Sequence, residues 1–76
     1  MPEIEIQTTL LELFTEKLQW NGPLPTGALS EHLSSLQLLT LIDAVEERFS
    51  IYLQPTEAAE IDTVDQIVAT ILREAK

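Results

Sequence analysis

Few side chains in this sequence could do chemistry, and they are unevenly placed. The one histidine, His32, follows Glu31 and precedes the pair Ser34-Ser35. Histidine, carboxylate and hydroxyl are the parts of a nucleophilic triad, in which the base must touch the hydroxyl and the acid must orient the base. Adjacent residues rarely point at one another, however, and no oxyanion-hole signature accompanies these. A solvated loop histidine is the simpler reading. The chain has no cysteine, hence no disulfide framework, no thiolate metal site and no cysteine nucleophile. His32 has no second ligand at metal-binding spacing, and no phosphate-binding loop, dinucleotide fingerprint or calcium loop occurs. Carboxylates are plentiful, but so short a chain has little room for a closed pocket that would perturb them. The expectation is a protein with no catalytic residue and no metal, not an enzyme.

More distinctive is Ser34-Ser35-Leu36 at the predicted start of a helix, after a long loop. A phosphate ester on a hydroxyl there would sit beside unpaired backbone N–H groups and the positive end of the helix dipole. On this argument alone an ordinary helix cap is the better explanation of a serine there. Two serines in succession leave open which one caps and which one is free.

Three segments with helical spacing must position these residues, and none shows sustained strand alternation. The first runs from about Glu3 to Leu18, with Ile6, Leu10, Leu11, Phe14 and Leu18 as its apolar face. Glu5, Glu12, Glu16 and Lys17 face water, and Glu3 and Glu5 suit the positive end of the dipole. Asn21-Gly22-Pro23-Leu24-Pro25-Thr26-Gly27 cannot continue a helix, so a long loop reaches to about Ser34 and buries Leu24, Leu29 or Leu33. The second helix starts at Ser34 or Ser35, since hydroxyl side chains cap a helix well. Its buried stripe is Leu38, Leu41, Ile42, Val45 and Phe49. Gln37, Thr40, Asp43 and Glu47 form the wet stripe, flanked by a partly exposed Leu36 and Leu39.

Beyond it, Ile51, Tyr52 and Leu53 are expected to plug the core from a linker, and Pro55 to Glu60 can make only a short helix or a single turn. Val64, Ile67, Val68, Ile71 and Leu72 match the helical template at every position of the last helix. Asp62 or Thr63 caps it, and Arg73 and Lys76 suit its negative end. No internal repeat or low-complexity tract occurs. The expected fold is all-α, one domain over residues 1–76: a small bundle of three main helices and one short third helix, with a long loop between the first two.

Composition agrees with a packed core. Apolar residues make up 45% of the 76 residues, and 13 acidic against 4 basic side chains give a net charge of −9. A chain this size buries only about 60% of its unfolded surface, so its core must be efficient. The acidic balance argues against nucleic acid and anionic membranes, and favours partners with basic surfaces. No stretch approaches the roughly 20 apolar residues of a membrane helix. Met1-Pro2-Glu3-Ile4-Glu5 lacks the basic region of a signal peptide. A soluble cytoplasmic monomer is the expectation.

The run from Leu33 to Phe49, LSSLQLLTLIDAVEERF, resembles the acyl carrier protein signature, in which Asp-Ser-Leu opens helix two and a Glu-Glu-x-Phe-like stretch ends it at this distance. Ile51 and Leu53 look like the family's linker residues, Glu57 to Ile61 like its short third helix, and Asp62-Thr63-Val64 like the opening of its last helix. The similarity covers about residues 29–72. It implies an acyl-carrier-like four-helix bundle in which Ser35 receives 4′-phosphopantetheine from coenzyme A through a phosphopantetheinyl transferase. The arm would supply the thiol the chain lacks. The chain would then tether acyl, polyketide or aminoacyl intermediates as thioesters and raise their effective concentration.

By the same resemblance Ser34, Leu36, Leu39, Asp43, Glu46 and Glu47 would face the partners: the transferase, a loading enzyme, and a synthase or transferase with a basic docking surface. The family's aspartate before the serine is Ser34 here, its glycine two residues earlier is His32, and Gln37 and Thr40 stand at positions often charged in fatty-acid carriers. These departures favour polyketide or nonribosomal peptide biosynthesis, or a fatty-acid-like specialised pathway, over housekeeping fatty acid biosynthesis. A carrier-fold docking or regulatory protein that is never modified is the alternative.

Overall fold

In the computed structural model, which describes residues 2–74, four α-helices follow one another: α1 (Glu3–Leu18), α2 (Ser35–Phe49), α3 (Pro55–Glu60) and α4 (Val64–Glu74). A single 3-10 turn, Leu29–Glu31, interrupts the long loop after α1, and no strand occurs among the described residues. Lys76, expected to favour the end of α4, lies outside the described residues.

The core forms where the helical stripes meet. From α1 it takes Ile6, Leu10, Leu13 and Phe14; from α2, Leu41, Ile42, Ala44, Val45 and Phe49; from α4, Val64, Ile67, Val68 and Ile71. The connections add Leu29, Leu33, Leu53 and Ile61. The Cα radius of gyration, 11.2 Å, is close to the roughly 11.4 Å expected of a fully packed chain of this length.

Three apolar expectations are corrected. Leu13 takes the core position given to Leu11, which is 37% exposed. Residues 6, 10, 13 and 14 follow the i, i+4, i+7, i+8 spacing of one helix face, and Leu11 falls about 100° beyond Leu10, outside that face. Tyr52 is 69% exposed, so only Leu53 fully plugs the core from the linker, with Ile51 half-buried. Extended residues alternate sides, which turns Tyr52 outward. Leu72 is exposed at the edge of the α4 stripe.

Helix ends are set by local hydrogen bonds. Gln19 (φ 54°) and Ser50 (φ 55°) close α1 and α2 in the left-handed conformation, which a β-carbon makes costly. The Ile51 N–H then donates to the Glu46 carbonyl at 3.1 Å. At the start of α4, Thr63 is the cap: its Oγ1 accepts the Gln66 N–H at 3.1 Å, and Gln66 Oε1 accepts the Thr63 N–H at 3.0 Å. Asp62, the other candidate, has a different task. Its carbonyl accepts the Leu29 N–H and its Oδ1 accepts the Ser30 N–H at 3.2 Å, so it pins the 3-10 turn to the start of α4. That tether fixes the chain just ahead of Ser34.

Candidate functional site

The two serines divide the work at the start of α2. Ser34 is the cap: its Oγ accepts the Gln37 N–H at 3.2 Å, and Gln37 Oε1 accepts the Ser34 N–H at 2.8 Å. This reciprocal pair is a capping box. The first bond inside the helix runs from the Leu38 N–H to the Ser34 carbonyl at 2.9 Å. Among the described residues the N–H groups of Ser35 and Leu36 therefore have no acceptor, and they lie in the first turn, where the helix dipole is positive. Ser35 is the first helical residue, exposed, and its hydroxyl makes no hydrogen bond among the described residues.

Ser35 also stands at the rim of an apolar groove of about 410 Å³. Leu38, Leu39 and Ile42 of α2 form one wall; Pro55, Ala58, Ala59 and Ile61, on and just after α3, form the other. Ser35 is the one polar residue of the lining. The small side chains of Ala58 and Ala59 leave space between the walls. Pro55 fits the first turn of α3, where its missing N–H costs nothing. The Arg73 guanidinium ties α3 to α4 through Glu57 at 2.7 Å.

Leu36, 76% exposed, and Leu39, 59% exposed, share the outer face of α2 with Asp43 and Glu47. Neither Asp43 nor Glu47 meets a cation among the described residues; the ion pairs there are Arg48 with Glu12 at 3.4 Å and Arg73 with Glu57 and Glu74. Glu46 is placed differently from its neighbours. It is half-buried, and its carboxylate accepts the Leu53 N–H at 2.8 Å, which anchors the chain between α2 and α3.

No hydrogen bond joins His32 to Glu31, Ser34 or Ser35 among the described residues. The imidazole instead packs edge-on to Trp20, with ring centroids 5.8 Å apart, and Trp20 in turn meets Phe14 at 5.9 Å. Trp20 Nε1 donates to the Pro23 carbonyl at 2.8 Å, so the aromatic chain holds the glycine- and proline-rich loop against α1. No group of three or more His, Cys, Asp or Glu could hold a metal ion among the described residues, and no helix there is long and apolar enough to cross a membrane.

The α3 wall of the groove is the part of the site that sequence reasoning missed. The spacing of Pro55, Ala58 and Ala59 marks one face of α3, but not how far that face stands from α2.

No protein-family model matches the chain, and neither a curated protein nor a solved structure matches it.

Proposed function

We propose that the chain is a carrier protein, bearing a 4′-phosphopantetheine arm on Ser35 and presenting acyl, polyketide or aminoacyl thioesters to partner enzymes. One observation carries the reading: Ser34 takes the cap, and so leaves Ser35 exposed, uncommitted and beside an apolar groove. In the loading step a phosphopantetheinyl transferase would form the bond from Ser35 Oγ to phosphorus and break the pyrophosphate bond of coenzyme A. Adenosine 3′,5′-bisphosphate leaves, and the serine proton passes to a base of the transferase. The residues would suit that product, because the N–H groups of Ser35 and Leu36 have no acceptor among the described residues and the helix dipole there favours negative charge.

The arm supplies the terminal thiol for thioester formation, which a chain without cysteine lacks. The groove would take the apolar end of a short acyl cargo, each buried methylene being worth about 0.8 kcal/mol. Leu36, Leu39, Asp43 and Glu47 would meet a partner's apolar and basic residues, with Ser34 at the edge of that face. Such exposed charges steer association more than they hold it, so the docking weakens with salt.

An unmodified docking or regulatory protein of the carrier fold is the second reading, and Ser34 favours it, since the family has an aspartate there for the transferase. Loading rates of three forms separate the two. Ser34→Asp should load faster than the unsubstituted chain, and Ser35→Ala should not load at all. A folded unsubstituted chain that does not load contradicts the carrier assignment, and loading that survives Ser35→Ala contradicts the assignment to Ser35. A Ser34→Asp rate equal to that of the unsubstituted chain contradicts the role given to position 34.

A further inference from the structure

Opposite its buried stripe, α1 turns a second apolar strip to solvent. Ile4, 72% exposed, Thr8, Leu11 and Thr15 recur at intervals of four, three and four along it. The two threonines behave as apolar residues here. Thr8 Oγ1 donates to the Ile4 carbonyl and Thr15 Oγ1 to the Leu11 carbonyl, both at 2.9 Å, which spends each hydroxyl inside the helix. Two shallow grooves follow the strip end to end. One, of about 260 Å³, is lined by Ile4, Glu5, Thr8 and Thr9. The next, of about 310 Å³, is lined by Thr8, Leu11, Glu12, Thr15 and Glu16. They share Thr8, and the acidic row Glu5, Glu12 and Glu16 borders both on the same side.

We infer that the outer face of α1 is a docking surface for a basic amphipathic helix of a partner protein, one with two aliphatic residues seven positions apart and Lys or Arg along one flank. The groove centres lie about six residues apart, roughly 9 Å at 1.5 Å per residue, close to the roughly 10 Å rise between positions i and i+7 of a partner helix. The acidic row sets the sign of the flank. Of its three carboxylates only Glu12 has a cation among the described residues, at Arg48. A second copy of this chain fits poorly, because it would bring another Glu5–Glu12–Glu16 row and a further charge of −9 to the same seam. This face lies on a different helix from Leu36, Leu39, Asp43 and Glu47, and the inference stands whether or not Ser35 is modified. A protein held at α1 would keep its α2 face free for a second partner.

The test is amide chemical-shift mapping of the 76-residue chain with a synthetic 18-residue helical peptide that carries leucines at i and i+7 and lysines along one flank. A glutamate-flanked version serves as the control. Shifts should concentrate at Ile4, Thr8, Leu11 and Thr15, and the control should not bind. The double variant Glu5→Lys/Glu16→Lys removes no ion pair of the described structure, and should weaken the lysine peptide about fivefold or more at low salt. Ile4→Ser, at a position the core does not use, should weaken it as well. Shifts confined to the Leu36–Glu47 face, equal binding of the control peptide, or no shift at millimolar lysine peptide would overturn the inference.

Discussion

Gln37 and Ser34 exchange two hydrogen bonds across the first turn of α2, at 2.8 and 3.2 Å, and the exchange leaves the hydroxyl of Ser35 unused. A cap and an attachment point compete when a single serine must serve as both. Here the cap is Ser34 alone, so Ser35 can be changed without disturbing the start of the helix.

The first prediction follows from that separation. Ser34→Ala removes the cap and should cost about 1 kcal/mol, a fall in Tm of about 4–8 °C for a domain of this size. Ser35→Ala should leave Tm within about 2 °C, because an exposed first-turn serine without a partner contributes little. Ser34→Asp keeps a good cap and should unfold near the unsubstituted chain. Thermal melts of the three variants check all of this, and a destabilised Ser35→Ala would show that the roles are not divided as described.

Glu46 and Glu47 should likewise part company. Glu46→Gln weakens a half-buried, charge-assisted bond to the Leu53 N–H and should cost about 1–2 kcal/mol in urea unfolding. Glu47→Gln, at an exposed site with no ion pair among the described residues, should stay within about 0.5 kcal/mol. Loss of the Leu53 anchor also loosens α3, so hydrogen exchange over residues 53–60 should quicken in Glu46→Gln alone.

The leucines of α2 divide by face. Leu41→Ala empties a fully buried position and should cost about 2–5 kcal/mol. Leu36→Ala and Leu39→Ala trim exposed side chains and should change stability by no more than about 0.5 kcal/mol. On the proposed carrier function, those two substitutions should slow transfer from a loading enzyme to the arm, with a rise in KM and little change in kcat. A stability loss at Leu36 comparable to that at Leu41 would contradict the exposed placement.

Ser50 ends α2 with φ 55°, where a β-carbon is costly. Ser50→Gly should therefore raise stability by about 0.5–1 kcal/mol. A drop in Tm would mean that the serine side chain holds something the backbone geometry does not reveal.

Much of this architecture is readable before any coordinates, and the exceptions share a cause. The span Glu3–Leu18 and the short Pro55–Glu60 helix follow from periodicity, proline placement and the Asn21–Gly27 loop, all of which are local. The caps were also within reach: Ser34 has Gln37 three residues on, and Thr63 has Gln66, whereas Ser35 has Leu38 and Asp62 has Asp65. The 3-10 turn at Leu29–Glu31 was not, because Asp62, more than thirty residues away, holds it. The inward turn of Glu46 depends on where Leu53 passes, and the groove depends on how far α3 stands from α2. Such features live in tertiary contacts, which neither spacing nor composition encodes.

The central claim is that Ser35 carries the arm. Intact-mass measurement after incubation with coenzyme A and a broad-specificity phosphopantetheinyl transferase, followed by peptide mapping, tests it most directly. The predicted result is a gain of one phosphopantetheinyl group per chain, mapped to Ser35 and absent from Ser35→Ala. A folded chain that gains nothing from several transferases, or gains the group at Ser34, contradicts the claim.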